Sequence, residues 1–375
     1  MRDQILKQAK RVVVKVGSSL IARRGEGLLQ DRIERLAEEI VGLLKDGREV
    51  LLVTSGAIVS GISVLGLKQY PGSLPVKQAA AAVGQSRLMW AYEKAFERLG
   101  RRVAQILLTH QDLADRRRFL NARHTMNTLL EFGIVPIINE NDTVAVDEIR
   151  VGDNDTLAAE VALLVDADVA VILSDVEGLY TADPRQHPHA SLISLVESIT
   201  EDIEGRAGGS VSFEGTGGMA TKIRAAKMAT SYGIATLILN GATPGLLSEV
   251  FQGKAGGTFF TPRPRKLNSR KHWIAFTLRA KGQLVLDAGA IEALTTRGKS
   301  LLASGIREVM GDFSPGDALT CLDEHGKEIA KGLVNFSSDS LKLIKGRKTT
   351  EIQAILGEQE YEEVIHRDNL AILEP

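Results

Sequence analysis

Charge imbalance is missing from this sequence: 46 Lys and Arg against 47 Asp and Glu leave a formal net charge of −1 over 375 residues. No global field then favours nucleic acid or a membrane surface. Cysteine is nearly missing too. Cys321, the single one, cannot form a disulfide within the chain, and a reducing cytoplasm is the setting that suits it. No apolar run is long enough to cross a bilayer. The start, Met1-Arg2-Asp3-Gln4 with a first apolar run interrupted by Lys15, is not expected to be a signal peptide. Internal repeats and low-complexity tracts are absent. So are a histidine-based catalytic dyad and a nucleophilic cysteine. His110, His124, His187 and His189 show no metal-ligand arrangement and read as surface or loop residues. What remains is an ordinary globular composition, 44% apolar and 25% charged, on a length suited to two or three domains.

Short β-branched runs alternate with stretches of helical periodicity. Strands are predicted at 12–16, 50–53, 103–108, 134–138, 169–173 and 236–239. Between them Ile33, Leu36, Ala37, Ile40 and Leu44 recur at helical spacing before Gly47. Further helical patterns cover 76–99, 116–132 and 156–165, then the segment from Lys222 onward, and a short helix near Leu246. Residues 68–75 read as a surface excursion and 177–215 as irregular. The alternation predicts an α/β unit, a mainly parallel sheet sandwiched between helices. In such sheets ligands bind beyond the carboxyl ends of the strands. Polar residues collect there: Lys15 and Gly17, Ser55, Asn139 and Asp142, Ser174 and Asp175. Turn chemistry explains some of them. It does not explain Lys15, a charge within an apolar strand that is costly unless it is paired or reaches a ligand.

One stretch has the composition of a phosphate cradle: Gly215-Thr216-Gly217-Gly218-Met219-Ala220-Thr221-Lys222. Paired glycines let a backbone approach a ligand closely, and a glycine turn feeding a helix N-terminus points N–H groups at an anion. Lys222 would add a full positive charge. The spacing is not that of a Walker A loop, and taken alone the octapeptide reads equally well as a plain connection before a helix. Composition shifts near Thr261. Residues 262–282, basic and broken by proline, read as a linker, and 283–375, short β-like segments with regular glycines, as a small mainly β domain.

Several motifs stand in one order: Val14-Lys15-Val16-Gly17-Ser18-Ser19, Thr54-Ser55-Gly56-Ala57-Ile58, Ile138-Asn139-Glu140-Asn141-Asp142, Gly152-Asp153-Asn154-Asp155, Ser174-Asp175-Val176-Glu177-Gly178-Leu179-Tyr180, and the cradle. In this order they resemble the amino acid kinase family over residues 1–261, and within it the members that phosphorylate free glutamate. Ser174 departs slightly from that pattern, which has threonine there more often. The tail, with Gly282-Gln283-Leu284-Val285-Leu286-Asp287-Ala288-Gly289-Ala290 and Ser314-Pro315-Gly316-Asp317, resembles a PUA domain.

The resemblance implies ATP-dependent phosphorylation of the γ-carboxylate of L-glutamate, the first step of proline synthesis, with inhibition by proline. A side-chain carboxylate has a pKa of about 4.3 and is already ionised at neutral pH, so no general base is needed. The site must supply positive charge and in-line placement of two anions. The resemblance gives Lys15 the transferring phosphoryl group and Lys222 the bridging oxygen that leaves. Gly17 and Gly56 would admit backbone N–H groups to the phosphoryl oxygens. Asp155 holds the two lysines apart, with Asp153 a second candidate beside it. Asn154 and Ser55 contact the substrate's α-groups, though Asp153 or Asn154 also reads as the N-cap of the helix starting at 156. Asp142 would select a free α-ammonium over an acylated nitrogen. The nucleotide would lie over Ser174, Asp175, Thr216, Gly217, Gly218, Met219, Ala220, Thr221 and Lys222. Tyr180 reads either as a pocket wall or as a core aromatic. Mg²⁺ would ride on the nucleotide phosphates, so no metal ligand is named. A homo-oligomer and coupling to a reductase that consumes the labile acyl phosphate are expected. Residues 68–75 are the candidate proline loop.

Three other readings compete. A sister kinase would use the same cradle on acetylglutamate or aspartate. An RNA-binding protein would act through its PUA-like tail and basic linker. A regulatory amino-acid binder without catalysis is the third.

Overall fold

In a computed structural model of the chain, residues 1–144, 154–184, 186–207, 218–263, 271, 273–357 and 361–373 are described. The chain divides into two compact units, Met1–Arg265 and Lys266–Pro375.

The first unit opens with α1 (Arg2–Gln8) and β1 (Arg11–Val16), which is buried from Val12 onward. Val12, Val14 and Val16 share a core cluster with residues from the helix that follows, including Ile33 and Ile40. The two-residue repeat of a strand therefore turns Val13 and Lys15 to the opposite face. Next come α2 (Ser18–Ile21), the small hairpin of β2 (Ala22–Arg23) and β3 (Gly27–Leu28), and α3 (Gln30–Lys45). The chain then reverses at Gly47, whose φ of 80° is the left-handed region glycine favours. It continues through β4 (Glu49–Val53), α4 (Ala57–Val64), α5 (Leu74–Glu97), β5 (Val103–Leu108), α6 (His110–Ala114), α7 (Arg116–Glu131) and β6 (Val135–Glu140). Then follow α8 (Asn154–Leu164), β7 (Val169–Ser174), β8 (Leu195–Val196), α9 (Glu201–Ala207), α10 (Met219–Ser231), β9 (Ala235–Asn240), α11 (Leu246–Phe251) and β10 (Thr258–Phe260).

These strands form an eight-stranded sheet in the order β5-β6-β4-β1-β7-β9-β10-β8. All its neighbours pair in parallel except β9 and β10. The α/β architecture with a mainly parallel sheet is thus the observed one. β1 lies between β4 and β7, so the strand carrying Lys15 is central.

The structure departs from the sequence reading in places with physical causes. α4 lies where no helix is expected, because Gly56 and Gly61 lower its helical signal. Gly61 is required by contact: a Cβ there would fall 1.7 Å from the Ala80 carbonyl oxygen on α5, and one on Gly84 would fall 1.8 Å from that of Ala57. The two helices meet backbone to backbone, and a side chain at either position would push them apart. Strand β6 runs on through Asn139 and Glu140. Helix α8 starts at Asn154, two residues before the predicted 156, so Asn154 is a helical residue and not an N-cap. The stretch read as irregular contains β8 and α9.

The second unit is a five-stranded mixed sheet, β12-β11-β13-β14-β15, built from β11 (Gly282–Leu286), β12 (Ile306–Gly311), β13 (Ala318–Leu322), β14 (Glu328–Leu333) and β15 (Leu370–Ile372). Its core includes Leu284, Leu319, Leu341, Ile365 and Cys321. Burial pushes the Cys321 thiol up to about 12, which leaves it unreactive. Among the described residues no helix is long and apolar enough to cross a membrane.

Candidate active site

At the carboxyl end of β1, Lys15 projects onto the sheet face against which α8 packs. Its Nζ lies 2.5 Å from Asp155 Oδ1, in the first turn of α8. Lys222, in the first turns of α10, places its Nζ 3.0 Å from the other oxygen, Oδ2. All three side chains are buried, Asp155 completely. A lysine near a helix N-terminus opposes the helix dipole, and a buried ammonium loses hydration. Neither residue is explained by helix or core chemistry. Asp155 offsets both costs. Burial would raise its carboxyl, but Lys15 and then Lys222 overcome that and hold it well below the usual carboxylate range. Thr221 Oγ1 is 3.0 Å from Asp155 Oδ2 and 2.7 Å from the Gly218 carbonyl oxygen, tying the start of α10 to the same carboxylate. Two ammonium groups thus share one carboxylate, each on its own oxygen.

One residue earlier, Asn154 serves a second cluster. Its Nδ2 donates to the Thr54 carbonyl oxygen at 2.8 Å, to Ser55 Oγ at 2.8 Å and to Asn139 Oδ1 at 3.1 Å. Asn139, buried at the end of β6, donates from Nδ2 to Gln85 Oε1 on α5 at 2.8 Å. Thr54 Oγ1 is 2.8 Å from the hydroxyl of Tyr92, fully buried on α5. The first turn of α8 therefore joins a cationic cluster to a neutral, amide-rich one. A phosphate and a small zwitterion could be held side by side there.

Residues 10–240 match the model of the amino acid kinase family. The chain belongs to the amino acid kinase family. Residues 282–356 match the model of the PUA domain. A protein named glutamate 5-kinase from Syntrophotalea carbinolica is 51% identical over 372 residues, covering 99% of this chain and all of that protein. A glutamate 5-kinase from Geobacter sulfurreducens is 52% identical over 373 residues, covering both chains fully. Carbamate kinase from Giardia lamblia bound to AMP-PNP superposes with a TM-score of 0.50 at 19% identity. That match covers 68% of this chain and all of the other, and it speaks to the fold alone.

Within this amino acid kinase, the sequence-predicted residues fall into three groups. Lys15, Asp155 and Lys222 meet directly, and Ser55 and Asn154 meet in the amide cluster. Asp142 lies in the turn after β6, half-buried, and loss of solvent pushes its carboxyl up to about 6. Its charge also reaches Tyr70: burial raises that phenol first, Asp142 raises it further, and Arg24, 5.9 Å above the ring, opposes them. The excursion at 68–75 thus returns to the site, and its last residue, Pro75, already belongs to α5. Ser174, buried at the end of β7, donates to Asp175 Oδ1 at 3.1 Å, and Asp175 is exposed. Gly218 is the N-cap of α10, with Met219, Ala220 and Thr221 in the first turn. Asp153, Thr216 and Gly217 lie outside the described residues.

Three expectations need correction. The Gly17 amide donates to the Leu173 carbonyl oxygen at 3.3 Å, so it belongs to the sheet edge and is not an open phosphate donor. His110 is not a plain surface histidine. Its Nδ1 is 3.0 Å from Oε1 of the buried Glu160. Tyr180, only half-buried, is not a core aromatic, and its hydroxyl donates to Glu177, which pushes the phenol up to about 12. The sequence reading missed Gln85 and Tyr92. They stand seven residues apart on α5, so they share one helix face. A polar residue two turns from a buried tyrosine in an alanine-rich helix is the signal that could have found them.

Proposed function

We propose that this chain transfers the γ-phosphoryl group of ATP to the γ-carboxylate of L-glutamate. The observation that carries the reading is the buried Lys15–Asp155–Lys222 cluster beside the Asn154 amide cluster. Full-length relatives named glutamate 5-kinase support the substrate. A carboxylate oxygen of the substrate attacks the γ-phosphorus, a new O–P bond forms, the bond to the β–γ bridging oxygen breaks, and ADP leaves. No proton is transferred in that step. The protein's work is positioning and charge. In this reading Lys15 faces the transferring group and Lys222 the departing oxygen. Asp155, holding one ammonium on each oxygen, keeps the lysines from folding onto one another. Ser55, Asn154 and Asp142 take the α-groups of the amino acid. Ser174, Asp175 and the start of α10 take the nucleotide.

Among the described residues no group of three or more His, Cys, Asp or Glu could hold a metal ion. Asp155 is engaged on both oxygens, so the residues present suit a Mg²⁺ carried by the nucleotide, whose role is to neutralise phosphate charge. Feedback by proline, assembly into a homo-oligomer and use of the product by a reductase belong to the same reading. So does the assignment of catalysis to 1–261, with a linker at 262–282 and a PUA-like unit at 283–375.

The test is ADP release by the purified protein with glutamate, N-acetylglutamate or aspartate, and trapping of the acyl phosphate with hydroxylamine. Glutamate-dependent ADP release with hydroxamate formation is expected. Turnover of acetylglutamate or aspartate without turnover of glutamate would end the assignment.

The same reading sets a pH dependence. A carboxyl raised to about 6 is neutral below that pH and cannot pair with an ammonium. On free enzyme, kcat/KM for glutamate should therefore fall by about tenfold per pH unit below pH 6 and level off above it. Asp142→Asn should be slow at all pH values and lack that limb. A wild-type profile flat from pH 5 to about 7 would remove Asp142 from the ammonium site.

A further inference from the structure

We propose, on the reading of glutamate as the substrate, that Gln85 is a substrate-positioning residue that acts through Asn139. It closes the amide chain that the Thr54 carbonyl starts, and so helps to hold Asn154 with its Oδ1 facing the α-ammonium of the bound amino acid.

The argument is one of hydrogen-bond polarity. The Thr54 main-chain carbonyl can only accept, so Asn154 must turn its NH₂ toward it. The same NH₂ meets Ser55 Oγ and Asn139 Oδ1. Asn139 must then present oxygen to Asn154, which leaves its own NH₂ for Gln85. Gln85 must answer with Oε1. One backbone carbonyl thus sets the direction of three side-chain amides in series. They run from α8, past the end of β6, to α5, the helix whose Gly84 lies against α4.

A chain with fixed polarity has two defined ends. At one end is Asn154 Oδ1, an acceptor, and at the other Gln85 Nε2, a donor. Both atoms are buried and, among the described residues, neither has a partner. Buried polar atoms are nearly always paired, so an open acceptor at the head of a fully ordered chain marks a place for a ligand donor. An ammonium is a donor with no acceptor capacity, so it fits Asn154 Oδ1 and no other orientation of that amide. Gln85 contributes by closing the chain on the α5 side. Without its Oε1, the Asn139 amide loses the partner that holds its NH₂ away from Asn154. Tyr92, on the same face of α5, braces Thr54 and so the carbonyl from which the polarity starts.

The test is steady-state kinetics on the full-length protein. Gln85→Met keeps length and volume and removes the acceptor. It should raise the glutamate KM about tenfold, while kcat and the ATP KM stay within about twofold, because only ground-state placement of the amino acid is lost. Gln85→Glu keeps an oxygen facing Asn139 and should bring the glutamate KM back to within about threefold of wild type. In an Asn154→Ala background, Gln85→Met should add less than about twofold, since a residue that acts through Asn154 has nothing left to act on.

Three results overturn the proposal. One is a full additional effect of Gln85→Met in the Asn154→Ala background. Another is an unchanged glutamate KM in the single variant. The third is a Gln85→Glu protein that binds glutamate as poorly as Gln85→Met, which would make Nε2 the working atom. Should Gln85→Met fail to fold, Gln85→Leu, which also lacks the acceptor, takes its place in both comparisons. A wild-type protein that turns over a different amino acid and not glutamate sinks the substrate reading. The amide chain is then tested by the same KM comparison on that amino acid.

Discussion

Lys222→Met lowers kcat for phosphoryl transfer by about 10²–10³-fold, the cost of removing one preorganised charge from a transition state, and moves the glutamate KM by less than about threefold. The expectation follows from where Lys222 stands. It is buried, it sits where a helix dipole disfavours a cation, and its recorded ion pair is with the carboxylate that also holds Lys15. A lysine placed at such cost for stability alone would be an odd solution, since a methionine would pack the same volume without it. Its charge matters most when negative charge moves to the bridging oxygen, and much less in the ground state. Initial rates of ADP release against glutamate and ATP concentration give the split. A fall in kcat of less than tenfold, or a loss confined to KM, would place Lys222 outside the chemistry.

Asp155→Asn destabilises the first unit by about 3–5 kcal/mol, the range for removing one partner of a buried ionic cluster, and also abolishes most turnover. The amide that replaces the carboxylate carries no charge, so two buried ammonium groups lose the anion that stands between them. The sign of the pH dependence is fixed. Asp155 has a folded pKa below its unfolded value of about 3.9, so its stabilisation is complete above that value. It is lost as pH falls through the lower folded value. At pH 7 the whole contribution is present, and the gap between wild type and variant should close only in strong acid. Urea unfolding of both proteins at pH 7 measures it. A difference under about 1 kcal/mol, no more than an exposed pair gives, would mean that solvent already screens the cluster.

Lys15 was legible in the sequence because an apolar strand has no use for a charge. Lys222 was legible from the glycine-rich turn that feeds its helix, and Asp155 only through resemblance to a family. Nothing in the spacing of residues 15, 155 and 222 announces that they meet. The central sheet could be read from β-branched runs, and its parallel character from the helices between them. Helix α4 could not, because the glycines that let it touch α5 are the residues that erase a helical signal. β10, only three residues long, pairs antiparallel on a sheet whose other neighbours are parallel, and its identity depends on β9. The start of α8 was placed two residues late because Asp153 or Asn154 also reads as a cap, whereas in the fold Asn154 and Asp155 are helical and turn inward to two different clusters. Gln85 left only a weak trace, its place two turns from Tyr92, since a glutamine on a helix is ordinarily a solvated residue and the β6 contact gives it its task.

The sharing of one carboxylate between two ammonium groups has an effect before any nucleotide arrives. Each Asp155 oxygen is taken by a different lysine, so the two cations already stand apart in the resting fold. Little reorganisation of charge is then left for the moment of reaction.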